Sequence, residues 1–298
     1  MAAGRFAPAP ALPRAPRRGH IRPIDRRVSI GAPAIREDHM SDYRNPSYRW
    51  GGTAARAGAD VDQGLRSYML GVYNNMVLGL ALTGLVALGT NMLAVTRDPA
   101  EAAARFHSFY LTSFGVAIYG SPLRYVVMLA PLAFIFFFSF RIDRMSAASA
   151  RNMFLAFSAV MGLSLSSILL VYTGQSVALA FFETAAAFGA LSLYGYTTKK
   201  DLTAIGSFLV MGLFGLIIVS VVNIFVHSSA LQFGISILAV GIFAGLTAWD
   251  TQRIKEMYWE NDGYEVATKK AVNGALMLYL DFINIFTALI QLTGNRNN

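Results

Sequence analysis

Residues 271–293 read AVNGALMLYLDFINIFTALIQLT, an apolar run whose single charged residue, Asp281, lies near its middle. The run is long enough to cross a bilayer as one helix. A charged side chain at the centre of a bilayer costs about 2.5–3.5 kcal/mol on insertion scales, so such a residue usually has a partner or a task. A second acid, Asp250, closes the preceding apolar run in Ala-Trp-Asp-Thr-Gln-Arg-Ile-Lys. The two aspartates are the first candidates for a functional site.

Polar residues accompany Asp281 along one side of this predicted helix. At 100° per residue, Asp281, Asn284, Thr287, Gln291 and Asn273 fall within about one third of the circumference. Such a stripe faces the interior of a helix bundle or a water-filled cavity rather than lipid. We interpret Asn284 and Thr287 as pore-lining candidates. For Asn273 and Gln291 we favour hydrogen bonds between helices.

The composition of the whole chain is that of a helical membrane protein. Of its 298 residues 55% are hydrophobic and only 14% are charged, whereas soluble domains are about one quarter charged. Seven continuous apolar runs are each close to the length of a membrane-spanning helix. They cover residues 68–95, 123–140, 152–172, 176–196, 205–226, 230–250 and 273–293. The sequence therefore predicts an all-α membrane protein with seven transmembrane helices.

The basic residues predict how these helices are oriented. With the N-terminus in the cytoplasm, 21 of the 25 Lys and Arg residues lie in cytoplasmic segments. Because basic residues accumulate on the cytoplasmic side, we expect a cytoplasmic N-terminus and a C-terminus on the opposite side of the membrane. The basic charge indicates contact with the lipid bilayer rather than with nucleic acid.

The sequence also predicts the structure of two segments outside the predicted spans. Residues 1–67 lack apolar periodicity and are rich in Pro, Arg, Ala and Gly, which predicts a disordered basic cytoplasmic tail before a transmembrane domain at 68–298. The part before Met40 is either a true part of this tail or the product of a gene start placed too early. Between the first two spans, residues 100–110 are a candidate interfacial helix.

The sequence lacks the residue sets of common enzymes. It contains no cysteine, and its four histidines are scattered without the spacing of metal ligands. No phosphate-binding glycine loop and no hydrolase motif is present. We therefore expect no enzymatic activity and no cofactor.

Three other charged residues lie in or beside the predicted spans. Arg141 and Arg144 follow the second run, where they either anchor the helix on the cytoplasmic side or reach inward to pair with an aspartate. Glu183 lies within the fourth run, where it either lines an outer vestibule or is neutral and hydrogen-bonded. If Asp250 and Asp281 approach closely, both cannot ionise comfortably and one keeps a proton.

Several stretches together resemble the bacterial branch of the Bax inhibitor-1 family. They are Ala-Trp-Asp-Thr-Gln-Arg-Ile-Lys (248–255), Leu-Tyr-Leu-Asp-Phe-Ile-Asn-Ile-Phe (278–286), Leu-Tyr-Gly-Tyr-Thr-Thr-Lys-Lys-Asp-Leu (193–202) and Met-Gly-Leu-Ser-Leu-Ser-Ser-Ile (161–168). The resemblance covers about residues 66–298. It implies a seven-helix fold in which the last helix is central in a ring of six.

The resemblance also implies a function and assigns roles to individual residues. It implies a pH-dependent calcium leak, with Asp250 and Asp281 as the pH-sensing and gating pair, which would bind calcium transiently. Arg144, or alternatively Arg141, would engage this pair. Unlike some relatives, the chain has no acid within the second run, which weakens the inference of calcium permeation. The alternative function is a regulatory membrane protein that modulates a membrane protease or a stress response by protein contact.

Overall fold

The computed structural model describes residues 51–106, 109–141 and 144–297. The predicted tail at residues 1–50 and the question of the start codon lie outside these residues. The helices are α1 (Gly51–Ala94), α2 (Ser113–Gly115), α3 (Leu123–Arg141), α4 (Ala147–Leu165), α5 (Ile168–Val171), α6 (Gly174–Thr197), α7 (Thr203–Val226), α8 (Ser229–Glu256) and α9 (Tyr264–Thr293). The strands are β1 (Val95–Thr96), β2 (Ala104–Phe106) and β3 (Phe109–Leu111).

Six helices in the described part of the chain are long and apolar enough to cross a membrane, whereas the sequence predicted seven. A seventh span exists only if Ser113–Gly120 and Leu123–Phe138, which meet at a bend of 64°, are counted as one. The bend lies at Ser121-Pro122. Proline restricts the residue before it to extended conformations, and Ser121 has φ −99° and ψ 170°. The second predicted run is therefore the one that departs from a simple spanning helix.

The first helix begins much earlier than its apolar run. α1 starts at Gly51, although residues 51–67 were predicted to belong to the disordered tail. Four Ala, two Arg and one Gln in this segment favour a helix, although it also holds four Gly. Hydropathy detects only the apolar portion of the helix, which the sequence places at residues 68–95.

The connection between the first two runs is a small antiparallel sheet. Its strand order is β1-β3-β2, with Val95 and Ala104 both opposite Leu111. The prediction of an interfacial helix at residues 100–110 is therefore wrong. Aromatic residues in β2 and β3 favour strands, and a turn precedes β2, where Asp98 Oδ1 accepts a hydrogen bond of 2.8 Å from the amide of Ala100.

The last helix is the most buried of the spanning helices. In its most apolar stretch 61% of the residues are buried, compared with 6–33% in the other five. It packs against α1, α4, α6 and α8. Its fully buried side chains include Leu278, Tyr279, Ile285 and Ile290. α9 thus provides the core against which these four helices pack.

Two ends of the helical bundle can be distinguished by their contacts. At the end that we call the basic end, Glu265 at the start of α9 accepts a hydrogen bond of 2.8 Å from the amide of Ala147 at the start of α4. There too, Lys255 near the end of α8 donates to the carbonyl of Tyr196 near the end of α6 (2.9 Å). At the opposite end, which we call the hairpin end, the sheet follows α1 and residues 295–297 pair with the connection between α5 and α6.

Candidate functional site

The carboxyl groups of Asp250 on α8 and Asp281 on α9 meet inside the bundle. Their side chains lie within hydrogen-bonding reach of each other, and the two residues are only 8% and 4% exposed. Two carboxylate oxygens can approach this closely only when one of them carries a proton. The described arrangement therefore fits a carboxyl pair that shares one proton.

One buried oxygen of each aspartate accepts no hydrogen bond from another described residue. Asp250 Oδ1 and Asp281 Oδ2 are buried and have no hydrogen-bond partner in the described part of the chain. Buried polar atoms are normally hydrogen-bonded, so such atoms need an explanation such as a water or an ion. A proton held between the two carboxyl groups, or a small polar ligand, is therefore needed to satisfy these oxygens.

The charged surroundings of the pair are sparse. Arg253, less than one helical turn beyond Asp250, interacts with its carboxyl group, and its guanidinium lies 5.4 Å from the centre of the Trp249 ring. No group of three or more His, Cys, Asp or Glu residues that could hold a metal occurs among the described residues. Since Ca²⁺ usually takes six to eight oxygen ligands, two carboxyl groups suit passing contact with a cation rather than a resident ion.

A chain of hydroxyl groups ties the helix of Asp250 to α6 and α1. Tyr73 OH lies 2.7 Å from Ser192 Oγ, Ser192 Oγ lies 3.0 Å from Thr251 Oγ1, and Thr251 donates to the carbonyl of Thr247 at 2.7 Å. Each hydroxyl has one proton to donate. Because the proton of Thr251 goes to Thr247, Ser192 donates to Thr251 and Tyr73 donates to Ser192. The chain holds the residue beside Asp250 in place.

A second set of hydrogen bonds ties the helix of Asp281 to α1 and α4. Tyr279 OH, which is fully buried, lies 2.6 Å from Thr83 Oγ1. Thr83 in turn bonds the carbonyls of Gly79 and Ser158, each at 2.9 Å. The proton of Thr83 is thus used, so Tyr279 is the donor to Thr83. α1 therefore contributes hydrogen bonds that position both acid-bearing helices.

Four of the five residues of the predicted polar stripe, all except the buried Asp281, are on a less buried side of α9. Asn284 and Thr287 are half-buried, and both use their side chains to bond carbonyls of their own helix, those of Leu280 and Asn284. Gln291 is exposed and accepts hydrogen bonds from Gln232 at 2.8 Å and Ser236 at 3.0 Å, both on α8. Gln291 thus makes the interhelical hydrogen bonds that we favoured.

The other predicted charged residues are not brought to the pair. Arg141 is exposed, with its guanidinium 5.4 Å from the centre of the Phe137 ring, and Arg144 is also exposed. Neither forms an ion pair with a described acid. Glu183 is half-buried on α6. The roles predicted for these three residues stay predictions.

Comparison with known proteins agrees with these features. The model of a family described as "Inhibitor of apoptosis-promoting Bax1" matches residues 65–298. A protein of Rickettsia prowazekii is 44% identical over 237 residues, which cover 80% of this chain and 93% of that protein. A protein of Caulobacter vibrioides is 44% identical over 256 residues, covering 86% and 98%. The inner membrane protein YbhL of Escherichia coli K12 is 40% identical over 236 residues, covering 78% and 93%.

The matched region contains the spanning helices with both aspartates, and it accounts for all of α3 to α9. The similarity extends over nearly the full length of these relatives. One of them is named as an inner membrane protein, which fits six to seven apolar helices in this chain. The chain therefore belongs to the Bax inhibitor-1 family of membrane proteins.

Proposed function

We propose that this protein is a pH-sensitive calcium leak channel of the bacterial inner membrane, gated by the pair formed by Asp250 and Asp281. The observation that carries the proposal is the contact between these two buried carboxyl groups across the α8–α9 interface. Each has an oxygen without a hydrogen-bond partner among the described residues. Oxygen ligands of this kind are those that Ca²⁺ prefers.

Protonation would set whether the two helices stay together at this point. With one shared proton, the carboxyl groups attract each other and close the path between α8 and α9. When the proton is lost at higher pH, two negative charges face each other in a buried place and repel. The separated carboxylates then admit a divalent cation, with Asn284 and Thr287 as polar groups along the path. Higher pH therefore favours the leak.

The wider arrangement is part of the same proposal. Seven spans would be completed by the bent segment at residues 113–138, with α9 central in a ring of six helices. The N-terminus would be cytoplasmic and the C-terminus periplasmic, so that the basic end faces the cytoplasm. Arg144, or alternatively Arg141, would swing toward the deprotonated pair from the end of α3. The proposed protein acts without a cofactor and is not an enzyme.

Calcium flux into proteoliposomes tests the gate directly. Purified protein is reconstituted with a trapped calcium indicator, and the initial flux is measured between about pH 6 and pH 8. We expect wild-type flux to rise with pH. Asp281→Asn cannot lose a proton at this position, so its flux should lose the pH dependence. Glu260→Gln, which neutralises an exposed acid between α8 and α9, is the matched control and should behave as wild type. Unchanged flux and pH dependence in Asp281→Asn would refute the proposal.

A deletion distinguishes the calcium leak from the alternative function, in which the protein is a regulator that contacts a membrane protease. Residues 1–50 precede α1, so their removal leaves every described helix intact. A leak housed in the helices should survive this deletion, whereas regulation by a contact through the tail should not. Absence of flux in the full-length protein, together with partner binding that is lost on deletion, would favour the regulatory function.

A further inference from the structure

Two cavities lie between α1 and α6, which make few contacts with each other, and we call the two cavities together the groove. The cavity toward the hairpin end has a volume of about 360 Å³ and is lined on α1 by Gly84 and Leu88 and on α6 by Phe182. The cavity toward the basic end has a volume of about 670 Å³, and its lining includes Tyr73 and Gly189. Both cavities open on the outside of the bundle, where the membrane would surround them.

The walls of the groove are apolar along most of its length. Aliphatic and aromatic side chains of the two helices form them, and several are substantially exposed, such as Leu88 at 50% and Phe182 at 69%. Tyr73 and Ser192, two of the polar residues that line the basic-end cavity, use their hydroxyl groups in a hydrogen bond to each other. A long hydrocarbon chain is the kind of ligand that matches such a surface.

Positive charge is concentrated where the groove reaches the basic end. Among the residues that the structure describes, Arg66 is the one charged residue that lines the two cavities. Lys255 reaches the same place, with its Nζ 5.6 Å from the centre of the Tyr196 ring, and the exposed Lys199 and Lys200 follow Tyr196 along the chain. The nearby Asp201, whose carboxylate accepts a hydrogen bond of 2.8 Å from the amide of Thr203, keeps its negative charge and offsets one of these positive charges. Basic pockets of this kind between membrane helices bind anionic lipid head groups.

The acid within α6 does not offset this charge. Glu183 lies on the helix face roughly opposite the groove, at about 200° from the mean direction of the groove-lining residues. Its carboxylate therefore points away from a ligand in the groove. The groove combines an apolar trough with a cationic mouth.

We propose that this groove is a binding site for one anionic phospholipid, with its phosphate at Arg66 and an acyl chain between α1 and α6. The apolar trough accounts for the acyl chain, and the basic mouth accounts for a preference for a negative head group. The lipid would bridge the two helices beside the hydrogen bond that joins them. The site lies outside the aspartate pair, and the proposal does not depend on the calcium leak.

Native mass spectrometry of the full-length protein tests the site. The protein is released from nanodiscs that contain equal amounts of phosphatidylglycerol and phosphatidylcholine, and the retained lipids are counted. We expect one retained phosphatidylglycerol in the wild type. A Cβ added at Gly189 meets no atom within 4 Å, so Gly189→Phe should fold, fill the basic-end cavity and abolish retention. Gly215 on α7 is equally open, and Gly215→Phe is the matched control that should retain the lipid.

The head group is tested by charge removal. Arg66→Gln should lower the preference for phosphatidylglycerol about fivefold, the effect of one basic residue at an anionic surface. Arg151→Gln on α4, which removes another exposed arginine near the basic end, should leave it unchanged. Equal retention of both lipids by the wild type, or equal retention by the wild type and Gly189→Phe, would overturn the proposal. So would retention that appears only after deletion of residues 1–50, since the tail would then fill the groove.

Discussion

A close approach between α6 and α8 gives a quantitative prediction. A Cβ added at Gly195 would overlap the carbonyl oxygen of Ala248 and would lie 2.9 Å from its carbonyl carbon and 3.0 Å from its Cα. Carbon atoms pack at about 3.5–4.0 Å, so Gly195→Ala must separate the two backbones by roughly 1 Å. Backbone atoms cannot rotate away as a side chain would. We expect the variant to lose roughly 1–3 kcal/mol of stability, the usual cost of overpacking.

Reversible unfolding in mixed detergent–SDS micelles, followed by helical content, measures this loss. Gly189→Ala on the same helix is the control, because its added Cβ meets nothing within 4 Å. Both variants gain the same helix propensity from alanine, so their difference isolates the steric cost. Equal stability of the two variants would refute the close approach described between the helices.

The same substitution has a consequence for the aspartate pair. Ala248 lies two residues before Asp250 on α8. A displacement of roughly 1 Å is enough to take two oxygens out of the hydrogen-bonding range of about 2.5–3.0 Å. We therefore expect Gly195→Ala, but not Gly189→Ala, to raise calcium flux at the low-pH end of the proteoliposome assay.

Two further predictions concern single hydrogen bonds. Tyr279→Phe removes the hydrogen bond to Thr83, while Thr83 keeps its bonds to the carbonyls of Gly79 and Ser158. We expect the free energy of unfolding to fall by about 1 kcal/mol in the same assay. A fall of more than about 3 kcal/mol would contradict this prediction. Hydrogen bonds from Thr203 hold the pKa of the exposed Asp201 below its ordinary value. The charged form of Asp201 therefore stabilises the fold at pH values above its unfolded-state pKa of about 3.9. This stabilisation is lost as the pH falls through the lower pKa of the folded state. The stability advantage over Asp201→Asn should shrink below about pH 4; a constant difference from pH 3 to pH 7 would contradict this.

Hydropathy located the helices wherever apolar residues fill the whole element. The predicted run 205–226 and the observed α7 (Thr203–Val226) differ by two residues at one end. Where a helix continues beyond the apolar region, hydropathy stops early. α9 begins at Tyr264, nine residues before the predicted run, because its first turns carry Glu265, Lys269 and Lys270. The short strands escaped prediction because each depends on a partner strand for its hydrogen bonds.

Both members of the carboxyl pair could be identified from the sequence, but their contact could not. Asp250 and Asp281 were singled out because buried charges in apolar runs are expensive. Whether the two side chains meet depends on how α8 packs across α9, and the spacing of residues along the sequence does not predict that packing. The hydroxyl chain through Ser192 and Thr251 was missed for another reason. Ser and Thr in helices commonly bond their own backbone, as Thr251 does, and nothing in their sequence shows which also reach another helix.

The direction of the hydroxyl chain limits how protons reach the aspartates. The chain from Tyr73 ends on the carbonyl of Thr247, and a backbone carbonyl has no proton to pass on. A relay along these hydroxyls therefore stops before Asp250. Protons exchanged by the pair need another conductor, and water that reached the half-buried Asn284 and Thr287 on the same helix would provide one. The rate of proton exchange at the pair would then follow the hydration of that flank, while the hydroxyl chain serves only to hold the helices.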